Sequence, residues 1–72
     1  MTQKLTWEDY EDVGLSLFER FPDLDPLEVR FTDLLRWICE VDDFVSDPAS
    51  STEGKLERIQ MAWLEEWQDA NA

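Results

Sequence analysis

The chain has 72 residues, enough for one domain whose single core barely offsets the conformational entropy lost on folding. Eighteen acidic residues stand against six basic ones with no histidine, for a formal net charge of −12. A field of that sign repels nucleic-acid phosphates and anionic lipid, so neither nucleic acid nor membrane is expected as a partner, and a basic protein surface or a metal cation is favoured.

Four Trp, four Phe and one Tyr supply large buried areas from few positions, and a hydrophobic fraction of 43% argues for a folded chain in spite of the charge. One cysteine makes no internal disulfide, and no apolar run reaches signal-peptide or membrane-spanning length. A reducing, cytoplasmic setting and a monomer are the corresponding expectations.

Residues 7–21 read as an amphipathic helix, with Thr6 and Asp9 forming a capping-box-like start and Pro22 ending it. Tyr10, Val13, Gly14, Leu17, Phe18 and Phe21 share its apolar side. Glu8, Asp12 and Glu19 fall opposite that stripe, with Asp9 and Glu11 on its flanks. Like charges one turn apart, such as Glu8 and Asp12, cost a few tenths of a kcal/mol. On charge alone two readings stand: a solvated face that keeps a small protein soluble, or a binding surface for a basic partner or a cation.

In the PDLDP stretch, Asp25 is placed to cap a short turn that begins at Pro26, where the missing N–H costs nothing. Val29, Arg30 and Phe31 then look extended, and Thr32 reads as the N-cap of a helix over residues 33–41 with Leu34, Trp37, Ile38 and Val41 on one face. Residues 42–52 read as a loop. A last helix follows over residues 53–68, with Leu56, Ile59, Trp63 and Trp67 in one stripe, Gln60 and Leu64 beside it, and frayed residues after it.

The expected fold is therefore mainly α, a compact single-domain helical bundle of winged-helix-like topology with minimal β. A DNA-reading role does not follow from that topology. Asp33, Glu40, Asp42 and Asp43 accompany only Arg36 on and after the middle helix, where a recognition helix needs Arg, Lys, Asn or Gln.

Little chemistry is available beyond charge. There is no His, no Ser-His or Cys-His pairing, no glycine-rich phosphate loop and too little chain to enclose a dry pocket, so the protein is expected not to be an enzyme. Carboxylates alone suit hard cations, and Asp9 and Asp12 with Glu8 are the candidate ligands for a weakly held Fe²⁺ or Mn²⁺. Cys39 is read as a small hydrophobe filling a gap beside Leu35, in preference to a reactive thiol. One thiolate cannot hold an iron–sulfur cluster, so no tightly bound cofactor is expected.

Three segments, WEDYEDVG over residues 7–14, FPDLDPLEVRFTDLLRWICEVDDF over 21–44 and AWLEEW over 62–67, together resemble the IscX family of small acidic iron–sulfur cluster assembly proteins. The resemblance runs from Trp7 to Trp67. It implies a winged-helix-like fold that binds protein and not DNA. It also implies a non-catalytic adaptor that docks on the cysteine desulfurase IscS, binds ferrous iron weakly, and shares its docking region with the bacterial frataxin CyaY. An iron donor to the assembly machinery is the alternative function, followed by an acidic protein-binding module outside this pathway.

By the resemblance, Asp9 and Asp12 match acidic positions used for iron and partner contact. Helix geometry adds Glu8, Glu11 and Glu19. Asp23, Asp25, Asp33, Glu40 and Asp43 lie in the matched motifs and extend the expected acidic surface, with Asp33, Glu40 and Asp43 counted among the partner-binding residues. The chain departs from the family at Val45 and Ser46, where further acids are expected, which puts a metal-binding role for that loop in doubt.

Overall fold

A computed structural model of the protein describes residues 4–41 and 43–71. Its helices are α1 (Tyr10–Arg20), α2 (Phe31–Glu40) and α3 (Glu53–Ala70), with short 3₁₀ turns at Pro26–Glu28 and Pro48–Ser50. The mainly α class stands. Among the described residues, β structure is confined to one isolated parallel bridge between Leu5 and Phe44.

The core is built where α1 crosses α3. Val13, Leu17, Leu34, Ile38, Ile59 and Trp63 are all fully buried, and Leu5, Trp7 and Leu56 close the cluster. Gly14 makes the crossing possible. A Cβ on it would lie 2.7 Å from the Trp63 backbone nitrogen and 2.9 Å from the Ala62 Cβ, too close for either to remain in place. Gly14 and Ala62 thus let the two helix backbones approach, and the large side chains on either side fill the space around the contact.

Helix ends follow from local chemistry, with corrections to the sequence expectation. Pro22 disfavours helical geometry at Phe21, and Phe21 accordingly turns out of the helix after a last bond from its N–H to the Leu17 carbonyl. At the other end α1 begins at Tyr10 and not at residue 7. Trp7 is needed in the core, where its ring meets Phe44 edge-on at 4.8 Å and its Nε1–H donates to the Asp47 carbonyl at 3.0 Å. A helix through Trp7 could not deliver it there.

Thr6 and Asp9 form a closed turn ahead of the helix. The Asp9 carboxylate accepts from both the backbone N–H and the hydroxyl of Thr6, at 2.9 and 3.1 Å. The pairing anticipated from sequence is real, and it organises the segment before α1 instead of its first turn.

Asp25 caps the first 3₁₀ turn as expected, accepting from the Leu27 N–H at 3.0 Å. Val29 and Arg30 are extended. Helix α2 then starts at Phe31 with Arg30 at the cap position, because the Arg30 carbonyl already accepts from the Leu34 N–H at 2.8 Å. Thr32, expected as the cap, sits inside the first turn; burial of Leu34 and Ile38 sets the phase of the helix.

The segment after α2 is more structured than its composition suggests. Leu5 donates to Asp43 and accepts from Val45, while Asp47 caps the second 3₁₀ turn through Ala49 N–H. Thr52 caps α3 by accepting from Lys55 N–H at 3.2 Å. This helix continues to Ala70, two residues past the expected end, where Asn71 closes it by donating to the Trp67 carbonyl. Gln60, on the flank of the α3 stripe, reaches the Pro26 carbonyl at 2.8 Å and fastens the 3₁₀ turn to α3.

The two glycines give opposite expectations in urea denaturation followed by tryptophan fluorescence. Gly14→Ala should lower stability by roughly 1–3 kcal/mol through overpacking at the helix crossing. Gly54→Ala should raise it by about 0.5–1 kcal/mol through helix propensity, since an added Cβ there meets only the Thr52 hydroxyl at 3.9 Å. Equal behaviour of the two variants would contradict the close crossing.

Candidate functional site: an acidic face

The first turn of α1 and the residues before it carry the densest acidic group. Glu8, Glu11 and Asp12 are exposed and Asp9 is half-buried. With Tyr10 they line an open depression of about 200 Å³. Because the helix begins at Tyr10, Glu8 precedes α1 and is not one of its face residues. Glu11 and Asp12 instead occupy the first helical turn, where the positive end of the helix dipole offsets part of their mutual repulsion.

The remaining candidates are dispersed. Glu19 is exposed near the far end of α1. Glu40 forms an ion pair with Arg20 at 2.8 Å, linking the ends of α2 and α1, and Asp33 lies 3.5 Å from Arg36 on its own helix. Both pairs are substantially exposed and contribute little to stability. Their charges are partly compensated within the chain. Asp43 is half-buried beside the Leu5 bridge, Asp25 is engaged as a cap, and Asp23 is exposed. Asp42 lies outside the described residues.

Metal chemistry is correspondingly limited. Among the described residues no three His, Cys, Asp or Glu side chains are grouped closely enough to hold a metal ion. Glu8, Asp9 and Asp12 share one depression without converging on a point, and Asp9 is already engaged by Thr6. Such oxygens suit a loosely held hard cation.

Cys39 does not fill a core gap as the sequence suggested; it is exposed on α2. Its helix buries Leu34 and Ile38, and the position after Ile38 turns away from the core. Partial burial, and secondarily the Glu40 carboxylate beside it, push the thiol above its ordinary pKa. Less of the nucleophilic thiolate is therefore present at neutral pH than for a free cysteine.

A second concavity, larger than the first, was not anticipated. It is a groove of about 490 Å³ between the start of α1 and α3, to which α3 contributes Glu57 and Glu65 opposite Glu11. Glu57 and Glu65 face solvent, off the apolar stripe by which α3 is legible in the sequence. Ala62, a buried residue that also lines this groove, was missing from the expected core stripe.

Residues 5–68 match the model of the iron-sulphur cluster assembly family, the family of IscX. The chain belongs to that family. It is also 45% identical over 62 residues to an uncharacterized Pseudomonas aeruginosa protein, PA3808, covering 86% of this chain and 94% of that one. The matched span takes in the Leu5 bridge, the Thr6–Asp9 turn and all but the last residues of α3.

The Thr6–Asp9 turn separates structural from exposed acids in a measurable way. Asp9→Ala should lower the free energy of unfolding by about 1 kcal/mol, as loss of a cap does. Glu11→Gln should change it by less than about 0.5 kcal/mol. Thermal unfolding by circular dichroism tests this, and equal effects would show that the turn is not what holds the segment before α1.

Proposed function

We propose that this member of the iron-sulphur cluster assembly family is a non-catalytic, cytoplasmic adaptor that docks its acidic face on a cysteine desulfurase and binds ferrous iron weakly. The family match carries this reading. A net charge of −12 and the exposed Glu8, Glu11, Asp12 and Glu19 support a basic protein surface as the target. No helix among the described residues is long and apolar enough to cross a membrane.

On this reading the adaptor works by occupancy. Carboxylates on a rigid helix start meet basic side chains on the partner, and complementary potentials steer the encounter and fix its orientation. Exposed ion pairs are screened over about 8 Å at 0.15 M salt, so the complex is tuned by ionic strength. Weak iron binding by the same group would couple the two ligands, because a cation at Glu8, Asp9 and Asp12 neutralises charge that a basic partner seeks.

Isothermal titration against purified cysteine desulfurase tests docking. Affinity should fall steeply as salt rises through the physiological range, and joint substitution Glu11→Lys and Asp12→Lys should cost at least about tenfold. Asp9 is left unchanged so that the Thr6 turn survives. Wild-type affinity in the doubly reversed, folded protein would remove helix α1 from the interface.

Iron binding should be oxygen-based and independent of the thiol, since Cys39 lies on α2 and the acidic depression lies at the start of α1. Anaerobic Fe²⁺ titration of Cys39→Ser should therefore match the wild type. A thiolate-to-iron charge-transfer band that disappears in the variant would contradict the assignment.

A further inference from the structure

The groove between α1 and α3 brings exposed apolar and acidic side chains together beside the helix crossing. Its apolar surface comes from Tyr10 and Met61, 37% and 46% exposed, together with Ala62, while Glu11, Glu57 and Glu65 surround them. Gly54 lines the groove near the start of α3. Gly14 is required by close packing, but Gly54 is not. Its φ is not positive, and an added Cβ would touch only a hydroxyl at ordinary van der Waals distance. A glycine in the first turn of a helix lowers helix propensity. Gly54 lines the groove with nothing but the Thr52 hydroxyl near an added Cβ, so a long side chain at this position has room to extend over the groove.

The charges are arranged along α3. Arg58 and Gly54 line both this groove and the adjoining hollow beside Trp7 and Lys55, so the cations gather towards the helix start. Glu65 lies eleven residues beyond Gly54, about three turns along the helix. We propose that this groove is a docking site for a partner-protein segment in which an aliphatic side chain packs on Tyr10 and Met61 and flanking Lys or Arg residues face Glu11, Glu57 and Glu65. Charge complementarity selects this occupant. Three carboxylates against one guanidinium favour a basic segment, and the exposed apolar floor supplies what charge alone does not, a pocket for an anchoring side chain.

The inference rests on the adaptor reading only in taking a protein as the partner, and it can fail separately. A short amidated peptide of leucine flanked by lysine and arginine is the probe, titrated into the ¹⁵N-labelled full chain. Saturable shift changes should centre on Tyr10, Gly54, Glu57 and Met61. Gly54→Gln should weaken binding by at least about tenfold while the protein stays at least as resistant to urea, and Met61→Ala should weaken it without unfolding. Glu57→Gln should reduce affinity more than Glu28→Gln, which makes the same change in net charge outside the groove. No saturable shift up to about 1 mM peptide, shifts confined to the acids at Glu8 and Asp12, or wild-type affinity in Gly54→Gln would each overturn the proposal. Loss of desulfurase binding with peptide binding intact would instead reject the partner named above and leave the groove standing.

Discussion

Everything in this small protein depends on how closely α1 lies against α3. Gly14 sits against the backbone of Trp63 with no room for a methyl group, and that contact brings Val13 and Leu17 down onto Ile59 and Trp63. Trp63 is the largest fully buried side chain, flanked by Phe21 and Trp37 at ring-centroid distances of 6.3 and 6.4 Å. Its indole N–H is buried without a hydrogen-bond partner. Such an orphan costs about 1–3 kcal/mol, and the arrangement holds because the apolar and aromatic contacts of the same side chain are larger. A chain of this length has few other sources of burial, so the crossing cannot be loosened without loss of the whole core.

The second constraint is the tie between the N-terminal segment and the stretch after α2. Leu5 bridges to Phe44, Trp7 stacks edge-on against Phe44, and the Trp7 indole donates to Asp47. The Thr6–Asp9 turn then redirects the chain into α1. As a result the acids at the start of α1 stand on a fixed support. A carboxylate on a held backbone loses less conformational freedom on binding than one on a mobile tail.

The fold decides how the charges are distributed over the surface. Arg20 and Arg36 draw Glu40 and Asp33 into exposed pairs on the α2 side. The acids at the start of α1 and along the outer side of α3 form the groups that line concave surface. The Cα framework spans 33 × 29 × 16 Å, a flattened shape with little depth to enclose a cavity. Its concavities are accordingly open grooves suited to another surface, which agrees with membership of an assembly family.

Much of this was legible in the sequence because it depends on local chemistry. Helical periodicity located α1, α2 and α3, Pro22 fixed the end of the first, and the PDLDP stretch dictated the capped turn at Pro26. The motifs around Trp37 and Cys39 pointed to the family. Tertiary structure alone decided the rest. Trp7 was readable as apolar but not as tethered to Asp47, forty residues away, and that tether moves the start of α1 to Tyr10 and takes Glu8 off the helix. Cys39 lies off the apolar stripe of Leu34 and Ile38 already in the sequence, but that the space beside Leu35 is open to solvent, leaving the thiol exposed instead of filling a gap, is seen only in the packed chain. The two glycines look alike in sequence. One is needed because a second backbone passes 2.7 Å from where its Cβ would be, and the other meets nothing closer than 3.9 Å. Residue type and spacing determine what each segment prefers, whereas the distance between segments remote in sequence exists only once the chain has packed.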